Sequence, residues 1–389
     1  MRRLLLLVAV LVFVDTMLYA ALTPLLPHFA HEFALSKSRA GTLVAAYAAG
    51  ALLGGLPGGF ATVRIGPRRA VLVGLALMGV SSIGFALAGG FSVLFVARLF
   101  QGIGSAFTWA GALAWLLSAA PRERRGELIG TAMGAAVVGA LFGPVVGATA
   151  ALAGRTAIFS ALGGLAVLLA LWTVRVAPPP PEKPSATSFA RAFSNRRFAG
   201  GLALLSIASL LAGILSVLGP LHLAGVGWGA TAIGAVWLLS AGLEATGSPL
   251  IGRLSDRRGA LVPVRVALAI GVLVSLTLAF GGRPLVYAPL LLIASVSYGA
   301  LFTPAFALIA DGAEHVGLAQ GLAFGLMNAA WAVGAVVGPA GGGAIAGATG
   351  DWVPFVLAAA LCAGTLLATA GSSSRHSLSE RVRAVPGSR

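Results

Sequence analysis

The chain has 389 residues, 58% of them hydrophobic and only 10% charged, whereas a soluble domain carries about 25% charge. That composition excludes a disordered chain and a soluble globular domain. The absence of a Gly-X-Y period excludes collagen, and the single Cys362 excludes a disulfide scaffold. An all-α integral membrane protein remains.

Runs long enough to cross a bilayer, about 20 residues each, recur from end to end. In chain order they are expected at 4–27, 40–62, 70–88, 91–118, 127–150, 156–175, 199–224, 229–252, 261–280, 284–310, 317–345 and 351–371, which makes twelve transmembrane helices. The opening MRRLLLLVAVLVFV runs on past Asp15 to Pro24 and Pro27 with no convincing cleavage site, so it reads as a retained first helix.

The net charge of +15 has the distribution of a topology signal. With both termini cytoplasmic, 21 of the 26 basic residues fall on the inner side: Arg2 and Arg3, then Arg64, Arg68 and Arg69, then Arg122, Arg124 and Arg125. Arg175, Lys183, Arg191, Arg196 and Arg197 follow, then Arg253, Arg257, Arg258 and Arg265, then Arg375, Arg381, Arg383 and Arg389. An even number of spans gives this asymmetry in a multi-pass protein of the cell membrane. The positive charge therefore predicts no nucleic-acid partner.

Displacing the chain by 195 positions superimposes Gly104, Phe107 and Thr108 on Gly299, Phe302 and Thr303. In the same register Gly139, Gly143, Pro144 and Gly147 fall on Gly334, Gly338, Pro339 and Gly342. The chain thus divides into parallel six-span copies, the repeat logic of a rocking transporter. Residues 1–176 and 199–372 are the two pseudo-symmetric six-helix bundles. Residues 177–198 form a cytoplasmic linker stiffened by Pro178 to Pro181, and 373–389 a basic tail. Within the linker, Phe189, Phe193 and Phe198 among Arg191, Arg196 and Arg197 suggest an amphipathic segment on the inner leaflet or a charged flank of span 7.

After span 2 stands Gly59-Phe-Ala-Thr-Val63-Arg64-Ile-Gly66-Pro-Arg68-Arg69, and one half later Gly252-Arg-Leu-Ser-Asp256-Arg257-Arg258-Gly259. Together they resemble the Gly-x-x-x-Asp-Arg-x-Gly loop signature of the major facilitator superfamily. Arg98-x-x-Gln101-Gly102-x-Gly104 and Gly139-x-x-x-Gly143-Pro144-x-x-Gly147 are similar to the span-4 and span-5 signatures of its drug:proton antiporter branch. The resemblance implies the major facilitator fold and a cytoplasmic gate at Gly59, Arg64, Gly66, Arg68, Gly252, Asp256 and Arg257, with Val63 replacing the acid of the first copy. It also implies a cavity lined by spans 1, 4, 7 and 10, and an exporter marked by the span-5 motif. On physical grounds alone, Gly139, Gly143 and Gly147 form a smooth stripe for close helix contact, and Pro144 bends the helix.

Asp15, Arg98 and Glu244 fall inside spans, where a charge costs about 2.5–3.5 kcal/mol near the helix centre on translocon scales. By the rise of about 1.5 Å per residue, Asp15 lies about 16 Å from the inner end and Arg98 about 10 Å from the outer end. They meet if spans 1 and 4 are neighbours, and a carboxylate between desolvation and a cation is suited to proton coupling. Arg98 serves equally well as a clamp on backbone carbonyls. Glu244 has three readings: a site for a cationic substrate, a second proton site, or a side chain snorkelling to the cytoplasm. Tyr19, Trp109 and Tyr298 are candidate cavity aromatics able to stack an apolar or cationic ligand.

The expected function is proton-coupled efflux of small hydrophobic or cationic compounds by a monomer in the lipid bilayer, with protons and a small-molecule substrate as partners and no cofactor or metal. An uncoupled or sugar facilitator of the same fold is the alternative. A membrane enzyme is less favoured, because the five histidines are scattered and Cys362 has no evident partner. ATP-driven transport by this chain is disfavoured: Lys37 and Lys183 follow Ser36 and Glu182, so no phosphate-loop lysine exists.

Overall fold

The computed structural model describes residues 2–119, 125–177, 193–280, 284–318 and 320–383. Among them are fourteen α-helices: α1 (Arg2–Ala20), α2 (Leu22–Glu32), α3 (Lys37–Ile65), α4 (Pro67–Ala86), α5 (Phe91–Ala119), α6 (Arg125–Ala153) and α7 (Arg155–Arg175). The second series is α8 (Arg196–Gly225), α9 (Ala230–Arg258), α10 (Leu261–Phe280), α11 (Pro284–Gly299), α12 (Phe302–His315), α13 (Gln320–Thr349) and α14 (Trp352–Arg383). Eleven of the resulting segments are long and apolar enough to cross a membrane, counting α1 with α2 and α11 with α12 as one each. The expected eighth span coincides with the 29-residue helix α9, which falls outside that group. Small residues, hydroxyls and Glu244 dilute its apolar content.

The helix ends follow from local chemistry. Ser36 caps α3 by accepting from the Arg39 N–H at 3.3 Å, and Asn195 caps α8 by accepting from Arg197 and Phe198 at 2.9 and 3.1 Å. The α3–α4 and α9–α10 turns rest on Gly66 (φ 87°, ψ 154°) and Gly259 (φ 85°, ψ 150°). Both occupy a region essentially restricted to glycine, so the two motif copies build the same corner despite Val63. The side chains of Val63 and Asp256 lie outside the described residues. Those of Arg64 and Arg257 are exposed, and that of Arg68 is half-buried.

The internal repeat reappears as packing. A Cβ on Gly139, Gly143 or Gly147 of α6 would run into Phe13 and Thr16, Ala20, or Ala21 and Pro24 of the first span. One on Gly334, Gly338 or Gly342 of α13 would run into Ser206 and Ser209, Leu210, or Ile214 of α8. Each contact carries a matching hydrogen bond: Thr16 Oγ1 to the Ala136 carbonyl at 2.9 Å, and Ser206 Oγ to the Ala330 carbonyl at 2.8 Å.

The two series meet at the end opposite the arginine-bearing corners. Lys37 at the start of α3 pairs with Asp351 before α14 at 2.5 Å. A Cβ on Gly41 would enter the Pro339 carbonyl and the Gly343 Cα, and Gly234 of α9 faces Ala148 and Pro144 of α6. Residues 40–51 of α3 are accordingly buried around nearly the whole circumference. Toward the arginine end the same helix is bare: Leu53 is 62% exposed, Leu56 76% and Phe60 64%, and Gly55 and Gly59 have no neighbour within 4 Å of a built Cβ. The two series are in contact at one end of α3, and the other end of that helix is bare.

Residues 178–192 of the expected amphipathic linker lie outside the described residues. Its last aromatic is packed into the protein. Phe198 is fully buried against Gly312, while Arg197 pairs with Asp311 at 2.5 Å. That end of the linker is tied to the protein.

Candidate functional site

The first span is two helices. α1 stops at Ala20, at the carbonyl that Pro24, four residues on and without an N–H, leaves with no helical donor, and α2 starts at Leu22. Arg98 from α5 lies against this break. Its guanidinium donates to the carbonyls of Leu18 (2.9 Å) and Tyr19 (2.5 Å) and to Gln101 Oε1 (3.0 Å). Gln101 in turn donates to Ser82 Oγ at 3.3 Å. Arg98 is buried, and its Nε has no hydrogen-bond partner among the described residues. The clamp reading of Arg98 is what the geometry displays.

Asp15 sits six residues before the break and is also buried, 2% exposed. It makes no ion pair with Arg98. Its Oδ1 accepts from the Tyr47 hydroxyl at 2.9 Å, and its Oδ2 accepts from Ser105 Oγ at 2.9 Å and Trp109 Nε1 at 2.7 Å. Tyr47 comes between the acid and the base, with its ring 4.8 Å from the Arg98 guanidinium carbon. Direct approach of Asp15 to Arg98, expected from depth, is replaced by this aromatic relay. The Tyr19 ring packs against Tyr47 at 5.1 Å and against Trp331 of α13 at 5.3 Å. The site in the first series therefore touches the second.

Of the candidate aromatics, Trp109 and Tyr19 join this cluster. Tyr298 does not. It is 2% exposed, its hydroxyl is 2.6 Å from Ser275 Oγ of α10, and it packs within the second series as core. Tyr47, Ser105 and Trp331 escaped the sequence reading. A signal existed for α5: Arg98, Gln101, Ser105 and Trp109 are spaced by three, four and four residues, a single helical face.

Glu244 stands apart, half-buried on α9. Ser295 Oγ of α11 donates to its Oε1 at 2.6 Å, and Ser240 Oγ lies 3.3 Å from the same atom and 2.5 Å from Ser295 Oγ. A Cβ on Gly299 would come within 2.6 Å of the Glu244 Cδ and Oε2. The carboxylate is held against α11 and does not snorkel.

Comparisons with known proteins agree with this architecture. The chain is 28% identical over 335 residues to the MFS-type transporter YcaD of Escherichia coli, covering 83% of this chain and 84% of that one. It is 31% identical over 169 residues to the MFS-type transporter ppzB of Metarhizium rileyi, and 37% identical over 133 residues to the chromaffin granule amine transporter of Homo sapiens. Those two matches span 42% and 34% of this chain, but only 35% and 25% of the relatives' lengths. The fold matches a bacterial homologue of the human lysosomal transporter Spinster with a TM-score of 0.75 at 16% identity, over 94% of this chain and 96% of that one. The family model described as Major Facilitator Superfamily matches residues 8–324, and the chain belongs to that superfamily of transporters.

Proposed function

We propose that the protein exports small hydrophobic or cationic compounds in exchange for protons, by alternating access across the cell membrane, with Asp15 as the proton carrier. The observation that carries this reading is the set of partners around Asp15. All three are neutral, and two of them, Tyr47 and Ser105, are hydroxyls able to accept as well as donate. Protonation of Asp15 then requires only that a hydroxyl turn, so the acid exchanges a proton without unfolding its pocket. Packing has no use for an acid at this depth.

Arg98 acts here as a positioning residue. It fixes the break in the first span and the face of Tyr47, so the state of Asp15 is coupled to helix geometry through one ring. Tyr19 carries the coupling on to Trp331. The joined end at Lys37 and Asp351, and the bare end of α3 at Leu56 and Phe60, suit one station of a rocking cycle between two six-helix bundles. With both termini cytoplasmic, this station opens inward, and the glycine corners at Gly66 and Gly259 act as the gate. Partial similarity to an amine transporter supports cationic substrates.

The test is transport in liposomes under an imposed pH gradient, with a panel of lipophilic cations, neutral antibiotics and sugars. Uptake of lipophilic cations that collapses when the gradient is dissipated supports the reading. Gradient-independent equilibration of sugars alone refutes it.

A further inference from the structure

The two helix breaks are treated in opposite ways. In the first series the break at Ala21 is covered by a built-in cation, the Arg98 guanidinium on the Leu18 and Tyr19 carbonyls. In the second series α11 ends at Gly299 and α12 begins at Phe302. Pro304 has no N–H to offer the Ala300 carbonyl four residues back, so this break also presents a backbone acceptor. Across from it stands Glu244, an acid. The two breaks are not repeat counterparts: the 195-residue register sets Ala21 on Ser216 within the unbroken α8, and Arg98 on Ile293 of the broken span itself. Among the described residues no Lys, Arg or His comes within 4.0 Å of the Glu244 carboxylate.

The Glu244 side chain is aimed. Ser295 and Ser240 hold Oε1, while Oε2 rests beside Gly299, where only the lack of a Cβ leaves room for it. Oε2 has no hydrogen-bond donor among the described residues. By contrast both oxygens of Asp15 are already engaged by three donors. An apolar cleft of about 440 Å³ adjoins this segment of α9, α10 and α11, lined among others by Leu243, Ile251, Ile270, Val296 and Ala300. Its walls include the chain neighbours of Glu244, Ser295 and Gly299, but not those residues themselves.

We infer that Glu244, with Ser240, Ser295 and the Gly299–Leu301 break, is a recognition site for the ammonium group of an amphiphilic organic amine, whose apolar body lies in the adjoining cleft. This rests on the proposed export of cationic compounds and names the group that is recognised. A protonated amine supplies what the pocket lacks: a positive charge with N–H donors for Oε2 and the Ala300 carbonyl, and a carbon skeleton for the apolar walls. The division of labour follows, with the proton handled at Asp15 in one half and the cation at Glu244 in the other.

The experiment is equilibrium binding to the purified full chain in nanodiscs, with no pH gradient, using dansylcadaverine, a fluorescent primary alkylammonium, as the amine probe and pyrene as a neutral apolar probe. Glu244→Gln is expected to weaken dansylcadaverine binding about 10- to 100-fold, the scale of a hydrogen bond to a charged group, and to leave pyrene partitioning unchanged. Gly299→Ala keeps the charge but displaces the carboxylate, and is expected to weaken binding at least tenfold. Glu314→Gln, an exposed acid, is expected to bind like wild type, and unchanged melting temperatures establish that each variant is folded. Wild-type affinity in Glu244→Gln overturns the inference, as does equal loss of pyrene binding. Competition by sodium chloride but not by choline chloride at matched ionic strength also overturns it, in favour of an inorganic cation site. Loss of amine binding in Glu244→Gln upholds the site even if gradient-driven transport fails. Gradient-driven transport that survives alongside unaltered Glu244→Gln binding removes this site and leaves the exporter reading in place.

Discussion

Lys37 and Asp351, 314 positions apart, form an ion pair of 2.5 Å that joins the start of α3 to the turn before α14. Beneath it, α3 and α13 approach through Gly41, Pro339 and Gly343, so the pair sits over a contact that is mostly backbone on backbone. Its side chains are 39% and 30% exposed, and an ion pair at such exposure contributes about 0.2–1 kcal/mol. The glycine contact, not the pair, is the main closure. Asp351→Asn should therefore shift the population open at this end by no more than about fivefold, while Gly343→Leu should shift it strongly. Spin-label distances between the ends of α3 and α13 measure both.

Asp15→Asn should abolish gradient-driven exchange and leave the fold intact. The amide matches the carboxylate in size. Its oxygen can still accept from Ser105 and Trp109, and its NH2 can donate to Tyr47, whose hydroxyl reverses its role. Only titration is lost. Transport under a pH gradient should fall to background, with a melting temperature within a few degrees of wild type. Counterflow exchange, which requires no proton movement, should persist in the mutant. Gradient-driven uptake at the wild-type rate would remove Asp15 from the coupling step.

Gly143→Leu should cost folded protein, and the matching change Gly338→Leu should do the same. Each glycine lies against backbone of the neighbouring span, Ala20 and Met17 in one case and Leu210 in the other. A leucine there must drive two helices apart, and overpacking of a tight interface costs about 1–3 kcal/mol or more. Gly134, on the same helix as Gly143, has nothing within 4 Å of a built Cβ, so Gly134→Ala should be neutral or mildly stabilising. Yields and melting temperatures of the four proteins give the comparison.

These contacts also show what the chain discloses by itself. The glycine register displaced by 195 residues is visible in the letters and returns as two equivalent helix contacts, because a glycine stripe has few uses other than close approach. The positions of Asp15, Arg98 and Glu244 were equally plain, since an ionisable group in an apolar run needs an explanation. Partnership was not legible. Tyr47 lies 32 residues from Asp15, and nothing along α3 marks one tyrosine as the neighbour of an acid on α1. Tyr298 was misplaced for the same reason. Its span faces a cavity in the family pattern, but the turn at Ala300 and Leu301 and the hydroxyl of Ser275 set its direction. Periodicity gives a face, and only the packed neighbours say what that face meets.

Arg98→Lys isolates geometry from charge. The guanidinium reaches three oxygens with two nitrogens: Leu18, Tyr19 and Gln101. Its plane also lies over the Tyr47 ring. A lysine keeps the charge but offers a single nitrogen on a shorter reach, and cannot bridge both carbonyls of the break in a planar fork. Losing one charged hydrogen bond costs about 1.5–3 kcal/mol, so Arg98→Lys should lower the melting temperature measurably while Gln101→Ala lowers it less. If Arg98 acts on coupling through Tyr47, Arg98→Lys should also uncouple transport, losing the response to a pH gradient while still exchanging substrate. Tyr47→Phe should then reproduce the uncoupling without the loss of stability, because it keeps the ring beneath Arg98 and removes only the donor to Asp15. Full coupling in Tyr47→Phe would show that the ring alone, and not the hydroxyl, links the two buried charges.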